Sequence, residues 1–198
     1  MTPSAGLIEA AVAAVAIPVN VMIRPHSRSS RYDENDVAVM LRDIAIVREA
    51  GAAGVVFGAL TADGGGIDTS LLETVLRAAD GLDVTFHRAF DELSDQLAAL
   101  DVLAKYPRIS RILTSGGRSP APQAMPRLRE LHEAAGRSHL RILGGHGLTP
   151  DTLEAFIRET GVQEVHFGSA VRSDGTFGSP IDAGKMARVR SIMANRFE

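Results

Sequence analysis

Asp83-Val84-Thr85-Phe86-His87-Arg88-Ala89-Phe90-Asp91 places a histidine, an arginine and an aspartate at the end of a short apolar run. Strand side chains alternate, so Val84 and Phe86 face one side and Thr85 and His87 the other. Such a strand suits the wall of a parallel barrel, where chemistry gathers at the C-terminal strand ends. There His87 can serve as general acid or base, oriented by Asp91. The competing reading is a core strand with a hydrogen-bonded histidine at its edge. Arg88 would then pair with Asp91 on the rim, as a solvated ion pair of little energetic weight.

Other residues can join this site. Arg24 closes the run Val19–Arg24, sharing a face with Asn20 and Met22, and can clamp an oxyanion. Ser115-Gly116-Gly117, Gly144-Gly145-His146-Gly147 and Gly168-Ser169 each follow an apolar run. Glycine lets backbone N–H groups approach an anion, and a helix N-terminus favours negative charge. Barrel phosphate sites often use the loops after the last two strands. Ser115, Gly116, Gly145, Gly147, Gly168 and Ser169, with Arg24, are therefore the candidate ligand-binding set, and Asp63 and Asp91 would enter from loops. Tight strand-to-helix turns explain the same glycines without a ligand.

The elements that must position these residues repeat at about thirty-residue spacing, as βα units do. A helix with Leu7, Ala11 and Val15 is expected first, with Thr2-Pro3 as its cap and first turn. The strands expected next are Val19–Arg24, Gly54–Leu60, Asp83 onward, Ser110–Thr114, Leu140–Leu143 and Gln163–Phe167. Asp68, Ser94, Thr149-Pro150 and Ser179-Pro180 read as helix starts, and Gly51, Gly81 and Gly161 as stops. Pro25–Asn35 is polar and reads as a long mobile loop. The order is one helix, then strand–helix six times, which implies a parallel sheet. No G-x-G-x-x-G follows an early strand, so a barrel is preferred to a dinucleotide-binding sheet. A closed barrel needs eight strands, so the first strand, first helix and second strand look absent.

Composition bounds the rest. With 198 residues, 45% hydrophobic and 23% charged, a single globular domain spanning 1–198 is expected. The net charge of −3 argues against nucleic acid or an anionic membrane as partner. No cysteine is present, which excludes disulfides, thiolate metal sites and cysteine nucleophiles, and fits a cytoplasmic location. Ala10–Ile23 is apolar enough to imitate a targeting signal, but Glu9, Pro18 and Asn20 argue for a helix end and a buried strand.

Several stretches together resemble the CutC family, described as copper homeostasis proteins. They are Thr2-Pro3-Ser4 with Leu7-Ile8, Val21-Met22-Ile23-Arg24-Pro25, Gly54-Val55-Val56-Phe57-Gly58, Leu60-Thr61-Ala62-Asp63-Gly64, Thr85 to Asp91, Arg111 to Gly117, and Glu164-Val165-His166. The resemblance covers nearly the whole chain and implies a TIM barrel, oligomerisation and a role in copper homeostasis. It also implies a chain that starts after the family's second strand. The family's Gly-Gly-Gly turn reads Gly145-His146-Gly147 here, and Ser and Arg follow Arg24 in place of a Gly pair and an acidic residue.

Copper binding, if direct, would fall to His87, His166 and Met22, since imidazole suits Cu(II) and thioether suits Cu(I). Their spacing is not a compact metal motif. Core packing is the better explanation of Met22, and an interior hydrogen bond explains His166 equally well. The alternative is an enzyme taking a small anionic or phosphorylated metabolite at the C-terminal mouth. A third reading is a non-catalytic remnant barrel. Six strands leave two open edges, so a homo-oligomer is expected.

Overall fold

The computed structural model describes residues 1–195. The chain is described as two compact units, Met1–Ile112 and the remainder from Leu113.

The first unit opens with α1 (Ala5–Ala14). Its cap is Ser4, whose hydroxyl accepts from Leu7 N–H, and not Thr2. Thr2 is used differently: its N–H donates to Arg24 O, and its Oγ1 accepts from Arg24 N–H. β1 (Asn20–Met22) follows, then α2 (Glu34–Glu49), which Asp33 and Asp36 start as a reciprocal capping box. β2 (Gly54–Phe57) leads to α3 (Thr69–Ala78), capped by Asp68. β3 (Asp83–Phe86) leads through a short 3-10 turn, Arg88–Glu92, to α4 (Gln96–Leu103). Asp95, rather than Ser94, caps α4. β4 (Ile109–Thr114) runs from this unit into the second.

Three parallel pairings align the strands, with Met22 beside Val56, Phe57 beside Phe86 and Phe86 beside Ile112. Val55, Phe57, Val84 and Phe86 are fully buried, and so are Met40, Ile44, Val47, Leu72, Val75 and Leu103 from the helices. Burial of each such side chain contributes about 1.5–3 kcal/mol. Pro25–Asn35 is a tethered loop rather than a free one. Ser30 is buried, its hydroxyl donates to Glu92 Oε1 at 2.8 Å, and its carbonyl accepts from Leu60 N–H at 2.8 Å.

The second unit contains α5 (Met125–Ala135), β5 (Arg141–Gly145), α6 (Leu153–Thr160), β6 (Glu164–His166) and α7 (Ala183–Asn195). β5 and β6 pair in parallel, with Gly145 beside His166. Leu128, Leu131, Ile142, Phe156 and Val162 fill its core, and Leu153, Val171 and Val189 form a further cluster. α6 starts three residues after Pro150, and α7 starts after Asp182, which accepts from Lys185 N–H. Gly161 ends α6 in the left-handed conformation, as expected.

Neighbouring strands follow chain order from β1 to β6. A parallel sheet in sequence order with a helix between successive strands is the architecture of the TIM-type α/β barrel. Six of the eight strands of a closed barrel occur among the described residues.

Candidate functional site

In the first unit, β1, β2 and β3 end close to Arg24, Gly58 and His87 respectively. His87 is held from both sides of its backbone: its N–H donates to Phe57 O at 2.9 Å, and its carbonyl accepts from Phe90 N–H at 3.2 Å. Its imidazole Nδ1 accepts from Ala89 N–H at 3.0 Å, capping the turn Arg88–Glu92. An accepting Nδ1 on a neutral ring puts the proton on Nε2. That Nε2 is buried and has no hydrogen-bond partner. His87 is only 2% exposed, and burial, helped by the nearby Arg24 cation, pushes its pKa down to about 3. The ring is therefore a neutral N–H donor at ordinary pH. An unmet buried donor costs about 1–3 kcal/mol, so it points to an acceptor that arrives from outside.

Gly58 makes the ring's position possible. A Cβ there would lie 2.6 Å from His87 Nδ1 and 2.9 Å from Cε1. Arg24 Nε donates to His26 O at 3.2 Å. Tyr32 Oη is also buried without a partner. The Arg24 guanidinium lies near enough to favour its ionised form, without a hydrogen bond of normal geometry between them. Burial, with Asp36 and Glu92 nearby, outweighs that and raises the Tyr32 pKa, so the phenol keeps its proton. The Tyr32 ring stacks on Phe57 at 6.3 Å and tilts against His26 at 5.4 Å. Asp36 and Glu92 are already engaged, by His26 Nε2 at 3.0 Å and by the Ser30 hydroxyl. The cluster thus presents hydrogen-bond donors, one of them cationic.

The expected pairing of Asp91 with His87 is not formed. Arg88 Nε donates to Asp91 Oδ2 at 2.7 Å, and Ala89 N–H orients the imidazole instead. This ion pair is no rim contact at the Asp91 end, whose side chain is 4% exposed against 36% for Arg88. Asp63 is exposed and ties up its own loop, accepting from Thr61 Oγ1 at 2.5 Å and Gly65 N–H at 3.0 Å.

In the second unit, Ser115 is buried and its hydroxyl donates to Gly117 O at 2.7 Å, while Gly116 N–H donates to Thr114 Oγ1. A Cβ on Gly145 would meet Leu113 at 2.8 Å, on Gly147 Pro120 at 2.6 Å, and on Gly168 Phe177 at 3.0 Å. Close packing is thus a sufficient reason for these glycines. His146 stands between two of them with φ +73, a left-handed residue where glycine is the easy choice. Ser169 opens only a three-residue 3-10 turn. His166 is exposed, and partial desolvation draws its pKa below the ordinary value. Met22 is half-buried in β1.

Copper fits His87 poorly. Ligation through Nε2 requires the proton to move to Nδ1, where it would face the Ala89 N–H. The Arg24 cation, whose field already lowers the His87 pKa, would also repel a metal ion. Among the described residues no group of three or more His, Cys, Asp or Glu side chains could hold a metal ion.

Gly58, Tyr32 and the Ala89 N–H escaped sequence reasoning. Gly58 directly follows the apolar run of β2, and Tyr32 is one of only two tyrosines, set in an otherwise polar loop. Those two signals could have found them.

By fold and by the placement of its polar groups at strand ends, the protein is a TIM-type α/β barrel protein. Its fold is shared with QR15, an aldolase, at 12% identity and a TM-score of 0.58, over 81% of this chain and 73% of that one. The family model of the CutC family matches residues 1–171. A CutC family protein of Glaesserella parasuis is 38% identical over 169 residues, 85% of this chain and 68% of its own length. The crystal structure of CutC from Streptococcus agalactiae, named for copper homeostasis, superposes with a TM-score of 0.78 at 33% identity. That match covers 84% of this chain and 81% of the other. The chain belongs to the CutC family. It spans about two thirds of the length of this curated relative.

Proposed function

We propose that the protein serves copper homeostasis, the role its relative's name carries, through a site that binds a small anion and not through copper chelated at His87. One observation carries this reading: a neutral, buried imidazole with an unpartnered Nε2–H beside the Arg24 guanidinium. Such a donor pair suits an oxyanion, with Arg24 supplying charge and His87 direction. His87 then acts as a hydrogen-bond donor rather than as a proton-transferring acid or base. The Arg88–Asp91 ion pair supports the turn on which Ala89 holds the ring. The strand-end loops with Ser115, Gly116, Gly145, Gly147, Gly168 and Ser169 stay secondary to this reading.

A second reading is an enzyme. A neutral imidazole N–H aimed at a carbonyl can polarise it in a dry site, and His87 has the burial and protonation state for that. The expected homo-oligomer is supported by exposed apolar side chains, Leu7 (60%) on α1 and Ile17 (72%) ahead of β1. No helix among the described residues is long and apolar enough to cross a membrane.

The test is calorimetry with acetate, glycolate and inorganic phosphate, and separately with Cu(I), Cu(II) and Zn(II). At least one anion should bind, and Arg24→Met and His87→Gln should each weaken it at least tenfold. Copper affinity should be unchanged in His87→Gln. Copper binding that disappears with His87, together with no anion binding, would reverse the assignment.

A further inference from the structure

Tyr32 is a half-buried residue with a buried hydroxyl that the sequence did not single out, and its surroundings differ from those of His87. The ring stacks on Phe57, the last residue of β2, and its Oη is buried with no partner. Arg24 is the neighbour that His87 and Tyr32 share. Toward His87 the nearby side-chain charge is positive, that of Arg24. Toward Tyr32 they are mixed: Arg24 is opposed by Asp36 and Glu92. Negative charge is therefore welcome at the His87 end, and a second negative charge is disfavoured at the Tyr32 end. Both carboxylates are already held, by His26 and by Ser30, and neither bonds the Tyr32 hydroxyl.

We infer that this site, if it binds anions as proposed above, takes a monoanionic carboxylate bearing a neighbouring keto or hydroxyl oxygen, with Arg24 and the His87 Nε2–H on the carboxylate and the Tyr32 hydroxyl on the neutral oxygen. A phosphate dianion fits worse, because its second charge would lie near Asp36 and Glu92. Tyr32 is then the specificity-determining residue. It distinguishes a 2-oxo or 2-hydroxy acid from the plain acid of the same length, because the plain acid leaves a buried hydroxyl unmet.

The inference rests on the anion-binding reading, and one experiment separates the two. Pyruvate, lactate, propionate and inorganic phosphate are titrated into the full chain and into Tyr32→Phe by calorimetry, with thermal unfolding as a check on folding. Pyruvate or lactate should bind about tenfold tighter than propionate. Tyr32→Phe should remove that preference and leave propionate unchanged. Equal affinity for propionate and pyruvate, or tighter binding of phosphate, would overturn the inference and leave the anion site standing. Binding of none of the four would overturn both. If Tyr32→Phe fails to fold, the wild-type ranking alone decides.

Discussion

Replacing Gly58 by alanine tests how His87 is held. Gly58 does not have a positive φ, so alanine brings no backbone strain, and by narrowing the unfolded ensemble it would stabilise by about 0.4–1 kcal/mol if nothing else changed. The new methyl, however, would lie 2.6 Å from His87 Nδ1, 2.9 Å from Cε1 and 3.2 Å from Phe86 Cζ. Contact at van der Waals distance needs about 3.5 Å, so the imidazole must retreat by close to 1 Å. Phe86 and His87 are both buried and leave little room. Retreat breaks the 3.0 Å bond from Ala89 N–H, leaving a buried donor unmet at about 1–3 kcal/mol. Overpacking adds about 1–3 kcal/mol. The expected net loss is about 2–5 kcal/mol, or roughly 5–15 °C in Tm for a domain of this size. Urea unfolding gives the first number and differential scanning calorimetry the second. A Tm within about 2 °C of wild type, with unchanged imidazole nitrogen signals, would refute the packing of His87 on Gly58.

Acid should destabilise the protein through His87. The folded ring protonates near pH 3, whereas the unfolded ring protonates at its ordinary value of 6.5, so the unfolded chain binds the extra proton between them. The stability this confers is complete above pH 6.5 and is lost as pH falls toward 3. Between pH 6.5 and 5, wild type should lose about 2 kcal/mol more than His87→Gln in urea titrations; parallel curves would contradict the burial argument. Arg108 is a structural control at the opposite strand end: its guanidinium donates to the carbonyls of Leu76, Ala79 and Leu82 around the end of α3. Arg108→Ala should cost about 1–3 kcal/mol without altering anion affinity, and a loss of affinity would show that the site depends on distant packing. Asp68→Ala removes the cap of α3 and should lower stability by about 1 kcal/mol on urea unfolding, an unchanged midpoint ruling the cap out.

The barrel class was legible because its signals are local and repeated. Asp83–Phe86, the apolar stripes of α2 and α3, and Gly161 each carry their own pattern. Helix starts were read less well where two capping residues compete. Thr2 and Ser4 are both good caps, and only the pairing of Thr2 with the Arg24 backbone decides between them. Arg24 and His87 were legible as charged or titratable groups at strand ends. The partner of His87 was not, because a carboxylate four residues away looks the natural choice. The backbone N–H of Ala89 carries no sequence signature, and Asp91 turned to Arg88. Tyr32 was hidden by the polarity of its loop, whose anchoring by Ser30 and Glu92 depends on residues 62 positions apart.

Everything proposed for the site requires His87 to be a neutral donor through Nε2–H. Long-range nitrogen–proton NMR on histidine-labelled protein tests it directly. The expected result is an Nε2–H tautomer with Nδ1 as acceptor, no titration from pH 8 to 5, and a shift of the Nε2 signal alone among the ring nitrogens when the anion binds. A His87 ring that titrates near pH 6.5, or that carries its proton on Nδ1, would contradict it.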